Sequence, residues 1–229
     1  TNEGMPIGAF WGYKTDGLIQ TQEQLNAVKR ADFQPNAELG DVLFVDTNGD
    51  GKLDSSDRCM IGNPIPEIIY GINMGMAWKG FDLNLQFGGT IGNQIFNAMR
   101  YYTYFPNDIT NKDRALMNYW TPNNTNTDIP RLTATDVNDN DRFSDMYVEN
   151  GTYFRLRNAQ LGYTLPASLT QRIKLQKVRF YVSGQNLFTI SSYSGMDPEV
   201  GQSSSLSRGI DYGIYPQNIS FTGGINVTF

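Results

Sequence analysis

The sequence predicts an all-β fold, a portion of an antiparallel transmembrane β-barrel with long loops that contain short helices. Three observations carry that expectation. Long segments alternate apolar and polar side chains with period 2, connections are short and long by turns, and the chain ends on an amphipathic strand closed by Phe229.

Taken in order, Met5–Lys14, rich in Gly and aromatics, reads as a first strand. Near residues 67–78, Ile68, Tyr70, Ile72, Met74, Met76 and Trp78 share one face, opposite Ile69, Gly71, Asn73, Gly75 and Ala77. Near 81–90, Phe81, Leu83, Leu85 and Phe87 oppose Asp82, Asn84, Gln86 and Gly88. Weaker strands lie near 152–164 and 177–188, the latter setting Val178, Phe180 and Val182 against Arg179, Tyr181 and Ser183. The last strand, near 217–229, sets Phe221, Ile225, Val227 and Phe229 against Thr222, Asn226 and Thr228. A tilted strand crosses bilayer hydrocarbon in about 9–11 residues, whereas soluble strands run nearer to about 5–6. A sandwich in water also alternates, so periodicity alone leaves both readings open.

The connections separate them. Lys79-Gly80 is a tight hairpin turn, and Leu165–Lys177 is a short link containing Pro166. Thr15–Pro66, Thr90–Gly151 and Thr189–Pro216 are long. Compact soluble domains seldom carry several loops of that size, whereas outer-membrane barrels have short periplasmic turns and longer extracellular loops. About six strands put both chain ends on the short-turn side. So few strands cannot close a wide barrel, and lipid does not tolerate open edges, so more strands are expected elsewhere. The opening Thr1, with no signal peptide before it, reads as the start of a mature fragment of something longer.

Composition narrows function. Lys plus Arg is 18 against 23 for Asp plus Glu, a net charge of -5 with no basic cluster, which argues against nucleic acid. The absence of His excludes Ser-His-Asp and Cys-His catalysis and His-ligated metals, and the single Cys59 excludes an internal disulfide.

The sharpest local motif is Asp46 to Asp57. It follows the calcium-loop spacing D-x-[DN]-x-[DN]-G, with Asp46, Asn48 and Asp50 offering side-chain oxygens, Lys52 its carbonyl, and Asp54 and Asp57 completing the set. Gly51 permits the sharp turn, and Asp57 stands where such loops usually carry the longer Glu. The expected occupant is a structural Ca2+; the alternative is an Asx-rich turn that folds without metal. Thr21–Ala31 reads as a helix with Thr21 as N-cap and Gln24 at its third position. Asn93–Tyr104 and Asp113–Trp120 read as short amphipathic helices. Asp139, Asp141, Asp145 and Glu149 could pair for glycoside hydrolysis, but a solvated acidic loop fits them better. The aromatics Tyr101, Tyr102, Tyr104, Phe105 and Trp120 could stack on sugars or peptides, though a small core under the loop is the plainer reading.

Several runs then carry a resemblance. Gly40–Asp54 with Asp57-Arg58 and Ile61-Gly62-Asn63-Pro64, Tyr70-Gly71-Ile72-Asn73, Asn118-Tyr119-Trp120-Thr121-Pro122 and Thr127–Arg131 form its first part. Tyr153–Asn158, Leu161–Pro166, Ser183–Phe188, Tyr193–Glu199 and the final Phe229 form the second. In this order they resemble the carboxyl-terminal part of the SusC/RagA-type TonB-dependent outer-membrane transporters. The resemblance implies residues 1–229 as a share of a barrel of about 22 strands whose plug lies elsewhere. It implies import of an oligosaccharide or a peptide across the outer membrane of a Gram-negative bacterium. The partners it implies are a SusD-like surface lipoprotein, TonB acting through the missing amino-terminal part, and outer-membrane lipid. Phe229 is expected to serve barrel assembly, and no catalytic residue is expected. The alternative is a secreted calcium-stabilised β domain that binds glycans.

Overall fold

The computed structural model describes residues 4–104, 111–201 and 205–229, with the side chains of Ile173 and Ser205 left aside. The chain folds as two compact units: Thr1–Ile65, Gln94–Asn150 and Val200–Ile214 form one, and Pro66–Asn93, Gly151–Glu199 and Tyr215–Phe229 the other.

The first unit is built from short pairings around small cores. Strand β1 (Phe10–Gly12) pairs with β4 (Cys59–Gly62), and β2 (Thr15–Leu18) pairs with β3 (Val42–Phe44). Strand β7 (Gln94–Asn97) runs antiparallel to β8 (Val148–Asn150) and parallel to β11 (Ile210–Asp211). Helix α1 (Gln22–Arg30) starts at Thr21, which forms with Gln24 the reciprocal capping box its sequence predicted. One core gathers Tyr13, Leu18, Phe33, Val42, Phe44 and Trp120; a second gathers Phe10, Phe96, Ala98 and Tyr147. Buried polar side chains join its strands. Gln34 accepts from the Phe44 amide and donates to the Val42 carbonyl and to Asn138, while Asn140 donates to Asp41, whose carboxylate also holds Arg131.

The second unit is one antiparallel sheet of five long strands in the order β12-β10-β9-β6-β5. They are β5 (Ile68–Trp78), β6 (Phe81–Ile91), β9 (Tyr153–Thr164), β10 (Lys177–Ser191) and β12 (Ser220–Thr228). The 11-, 11-, 12- and 15-residue spans of the first four, and 9 in the last, are membrane-crossing lengths. Lys79 and Gly80 both take positive φ (46° and 88°), the conformation of a two-residue hairpin turn whose twist matches the strands. Helix α3 (Ala167–Thr170) sits in the other short link, and Lys174 closes it with φ 57°. Among the described residues, no helix is long and apolar enough to cross a membrane, which says nothing of strands.

The register aligns the apolar positions into rows across the sheet. Trp78, Phe81, Tyr163, Phe180 and Ile225 form the row nearest the short turns, and Met76, Leu83, Leu161, Val182 and Gly223 form the next. Then come Met74, Leu85, Ala159, Gly184 and Phe221, followed by Ile72, Phe87, Leu156 and Phe188. A fifth row, toward the long connections, holds Tyr70, Phe154 and Ile190. Met76, Trp78, Val182 and Ile225 stay more than half exposed, Leu85 and Tyr70 are half-buried and Leu156 is buried, so most of this face is left uncovered by the described residues. In water that arrangement has no driving force, because the apolar area is never removed from solvent.

Three expectations need correction. Met5–Lys14 is not a strand of the large sheet: only Phe10–Gly12 is extended, and it pairs with β4 in the other unit. Gly8 turns the chain with φ 78°, Phe10 is buried in a loop core, and a Cβ on Gly12 would stand 2.4 Å from the Phe143 carbonyl oxygen. With five strands rather than six, the chain enters the sheet at the long-connection end and leaves at the short-turn end. Asn93–Tyr104 is not one helix either. It opens as the buried strand β7, and helix α2 (Ala98–Thr103) begins only where the Asn97 side chain accepts from the Arg100 amide. Asp113–Trp120 condenses to a 3-10 turn over Arg114–Asn118, capped by Asp113.

Candidate functional site

The large sheet presents its chemistry on the face opposite the apolar rows. Asn73, Asn84, Gln86, Asn158, Ser183, Gln185 and Asn226 stand there by alternation. Near the short turns, Arg179 on β10 reaches across β9 to Asp82 on β6, Nε to Oδ2 at 2.9 Å and Nη2 to Oδ1 at 2.5 Å. The strand between them supplies Gly162, where a Cβ would stand 2.4 Å from the guanidinium and 2.5 Å from the carboxylate. The glycine is the opening through which the bidentate pair passes.

At the other end of the sheet a second ionic group ties down the Tyr193–Glu199 segment. Arg155, 2 % exposed, donates from Nη2 to Asp197 (2.6 Å), from Nη1 to Glu199 (2.8 Å) and from Nε to Thr189 (2.8 Å). Arg157 donates to the second oxygen of Glu199 at 3.1 Å. Asp197 also accepts the amides of Glu199 and Gln217. Burial raises the Asp197 carboxyl, but those amides and Arg155 outweigh it and hold it below its ordinary value. Neither ionic group was foreseen in the sequence. The signal was there: Asp82, Arg155, Arg157 and Arg179 are charges inside strands, where a lone charge needs a partner or water.

In the 46–57 loop, every predicted ligand takes part in the loop's own hydrogen bonding or adjoins it. Asp46 accepts the amides of Gly49 (2.6 Å) and Gly51 (2.8 Å), Asn48 that of Asp50, and Asp50 that of Lys52. Asp54 accepts the Ser56 amide, and Asp57, fully buried, accepts those of Thr47 and Asp54. The Gly51 amide foremost holds the Asp46 carboxyl below its usual range, and the Ser56 hydroxyl does so for Asp54. Gly49 and Gly51 take φ near +77° and +78°, with open space where a side chain would stand. Among the described residues, no group of three or more His, Cys, Asp or Glu is arranged to hold a metal ion. The donor chemistry suits a hard cation, and a carboxylate oxygen accepting one N–H keeps a further lone pair.

The acidic stretch does not assemble a catalytic pair. Asp145 accepts from the Thr15 amide and hydroxyl, Glu149 from Asn97, and Asp139 pairs with Arg142. Burial foremost, with Asp136 and Asp139 nearby, raises the Asp141 carboxyl. Two of the aromatics go to core: Trp120 is 6 % exposed and donates Nε1–H to Gln20, and Tyr101 packs edge-on against Tyr147. Tyr102 is half exposed, Tyr104 carries the Arg100 guanidinium over its ring, and Phe105 lies outside the described residues. Phe229 follows β12 and is 83 % exposed.

A single sheet with one uncovered apolar face, one polar face crossed by ion pairs, and strands of membrane-crossing length defines a portion of a transmembrane β-barrel wall. No family model matches the chain. It is 38 % identical over 99 % of its length to TonB-dependent receptor P3 of Formosa agariphila, and 29 % identical over 86 % to TonB-dependent receptor SusC of Bacteroides thetaiotaomicron. Its backbone superposes on the RagAB peptide transporter with a TM-score of 0.72 at 25 % identity over 96 % of the chain. A second RagAB structure, a peptide importer in the 'open-open' state, gives 0.73 over 99 %. The chain spans 22 % of receptor P3, 18 % of SusC and 22 % of the first RagAB chain. Within its class, then, the chain is a segment of the SusC/RagA type of TonB-dependent receptor, as its motifs led us to expect, and these relatives are receptors and transporters rather than enzymes.

Proposed function

We propose that this chain supplies wall strands and outer loops to an outer-membrane transporter of a Gram-negative bacterium that imports a large nutrient by a TonB-dependent route. The observation that carries the reading is the five-stranded sheet whose apolar rows are largely uncovered by the described residues. The same exposure argues against the secreted, calcium-stabilised glycan-binding domain, which would have to bury those rows in water. The polar face, with the Asp82–Arg179 pair and its amide side chains, lines the water-filled side toward a plug contributed by the rest of the protein.

A SusD-like surface lipoprotein is the proposed partner. Exposed apolar side chains of the loop unit, among them Met117 at 80 % and Tyr212 at 58 %, suit contacts with another protein. The nutrient is an oligosaccharide in the first reading. The likeness to a peptide transporter favours a peptide as the second. A strain lacking the whole transporter, complemented with it, decides between them. Uptake of a labelled oligosaccharide that stops when the proton gradient is collapsed supports the first, the same result with a peptide supports the second, and uptake indifferent to the gradient contradicts both.

The terminal Phe229 is proposed as part of the signal read by the barrel-insertion machinery, so its deletion lowers the yield of assembled barrel. The 46–57 loop is proposed to take Ca2+ as reinforcement on Asp46, Asn48, Asp50, Asp54, Asp57 and the Lys52 carbonyl, over a frame that already closes on its own amides. Slower exchange of the Gly49 and Gly51 amides in Ca2+ than in chelator supports this, and equal exchange contradicts it.

A further inference from the structure

The apolar face of the large sheet has a depression, and its origin is in the sequence. In the row that runs Leu85, Ala159, Gly184, Phe221, the two central strands offer only a methyl group and a hydrogen. In the neighbouring row the last strand offers Gly223. Just beyond, β10 bulges: its register against β9 slips between Gln185 and Phe188, and Asn186 takes φ 52°. The bulge lays Leu187 over Gly184, where a Cβ would stand 2.6 Å from the leucine methyl. The result is an open cavity of about 400 Å³ with Leu83, Leu187 and Phe221 among its walls and no charged residue in its lining.

The position of the cavity selects an occupant. It lies in the second and third apolar rows counted from Trp78, so its lining begins two to four residues from the short turns. At roughly 3.3 Å per residue this is about 7–13 Å along a tilted strand, the near half of an apolar band about 25 Å tall. Short turns are the periplasmic end of such barrels, and the periplasmic leaflet is phospholipid. An empty apolar hollow at that depth forfeits dispersion contacts along its whole lining. A stable protein contact takes about 800 Å² from each partner, far more than this hollow supplies, and the rim of bulky side chains keeps a second backbone from close approach.

We infer that the hollow is a seat for one acyl chain of a periplasmic-leaflet phospholipid, retained by the transporter through purification. The inference rests on the reading of this face as the lipid-facing side of a barrel wall.

Gly223→Leu tests it. A Cβ at Gly223 has its nearest neighbour at 3.9 Å, so a larger side chain enters the hollow without displacing backbone. Gly71→Leu is the matched control, with the same 3.9 Å clearance on the opposite face of the sheet. The whole transporter, purified in mild detergent with added palmitoyl-oleoyl phosphatidylethanolamine, is weighed intact by native mass spectrometry. The expected result is at least one phospholipid retained by the parent and by Gly71→Leu, and retention lowered roughly fivefold or more in Gly223→Leu. Equal retention in all three overturns the seat. A change in the number of transporter copies with retention unchanged overturns it in favour of a second copy at this face. Lipid accessibility measured position by position along β6 reports separately on the wall reading, so a failed seat and a failed wall are told apart.

Discussion

The two units of this chain solve opposite solvation problems with the same amino acids. Phe96 and Phe188 show it. Phe96 is 3 % exposed, its ring 4.0 Å from that of Phe143 and near those of Phe10, Tyr101 and Tyr147, at the centre of a core that excludes water. Phe188 is 43 % exposed, has its ring centroid 6.3 Å from that of Phe154, and completes the row of Ile72, Phe87 and Leu156 on a face that the described residues leave largely uncovered. In the loop unit apolar side chains turn toward each other; in the sheet they turn away from the protein, toward a solvent that is itself apolar. The lesson is that exposure of a large apolar residue is a defect only relative to water, and the rows of the sheet make sense only relative to lipid.

The sharpest way to break this contrast is truncation. Phe96→Ala leaves a cavity in a water-excluding core and is expected to cost the loop unit about 3–5 kcal/mol. Phe188→Ala leaves a gap that lipid fills, and costs clearly less. Native-state hydrogen exchange in the assembled transporter reads both, and equal effects would remove the distinction between the units.

Charge insertion comes next. Leu85→Arg places a cation in the middle apolar row and is expected to cost about 2–4 kcal/mol, whereas Gln86→Arg, one residue away on the polar face, is expected to be well tolerated. The folded, heat-modifiable band on unheated gels measures the outcome. Within the loop unit, Asp57→Ala strips the buried acceptor from the amides of Thr47 and Asp54 and is expected to destabilise the 46–57 loop by about 1–3 kcal/mol, seen as faster local exchange. Thr21→Ala removes one half of the capping box and costs about 1 kcal/mol of α1 stability.

The smallest effect is a pH dependence confined to loops. Asp46, Asp54 and Asp197 are held below the ordinary carboxylate value near 3.9, so what they contribute is present above that value and is lost as pH falls through their own lower ones. Exchange of the Gly49, Gly51 and Gln217 amides is expected to quicken below about pH 4, while the ladder between β5 and β6 is unchanged.

How much of this was legible follows the range of the interactions. Strands β5, β6 and β12 keep strict alternation over their length, and their reading needed no tertiary information. Strand β9 looked weaker because Arg157 is an extra residue in its ladder with β6. The apolar set shifts from Phe154 and Leu156 to Ala159, Leu161 and Tyr163, so a fixed period of 2 fails across the bulge. Met5–Lys14 misled because Phe10 and Trp11 between glycines look alike on a membrane strand and in a loop core; what decides is the distant contacts of Gly12 with Phe143 and of Phe10 with Phe96. The loop motif showed its spacing but not its bonding, since an Asx turn and a calcium loop share the same Asp and Gly positions. The Arg155–Asp197 and Asp82–Arg179 pairs join residues far apart in the chain, and nothing local announces which charge meets which.

The most direct measurement is a cysteine scan of residues 81–88 in the assembled transporter, with native cysteines, Cys59 among them, replaced by serine and each site labelled with a polarity-sensitive dye in bilayers containing brominated lipid. Blue-shifted, quenched emission is expected at positions 81, 83, 85 and 87, and water-like, unquenched emission at 82, 84, 86 and 88. Quenching that ignores this two-residue period, or its complete absence, would contradict the assignment of one face to lipid and the other to water.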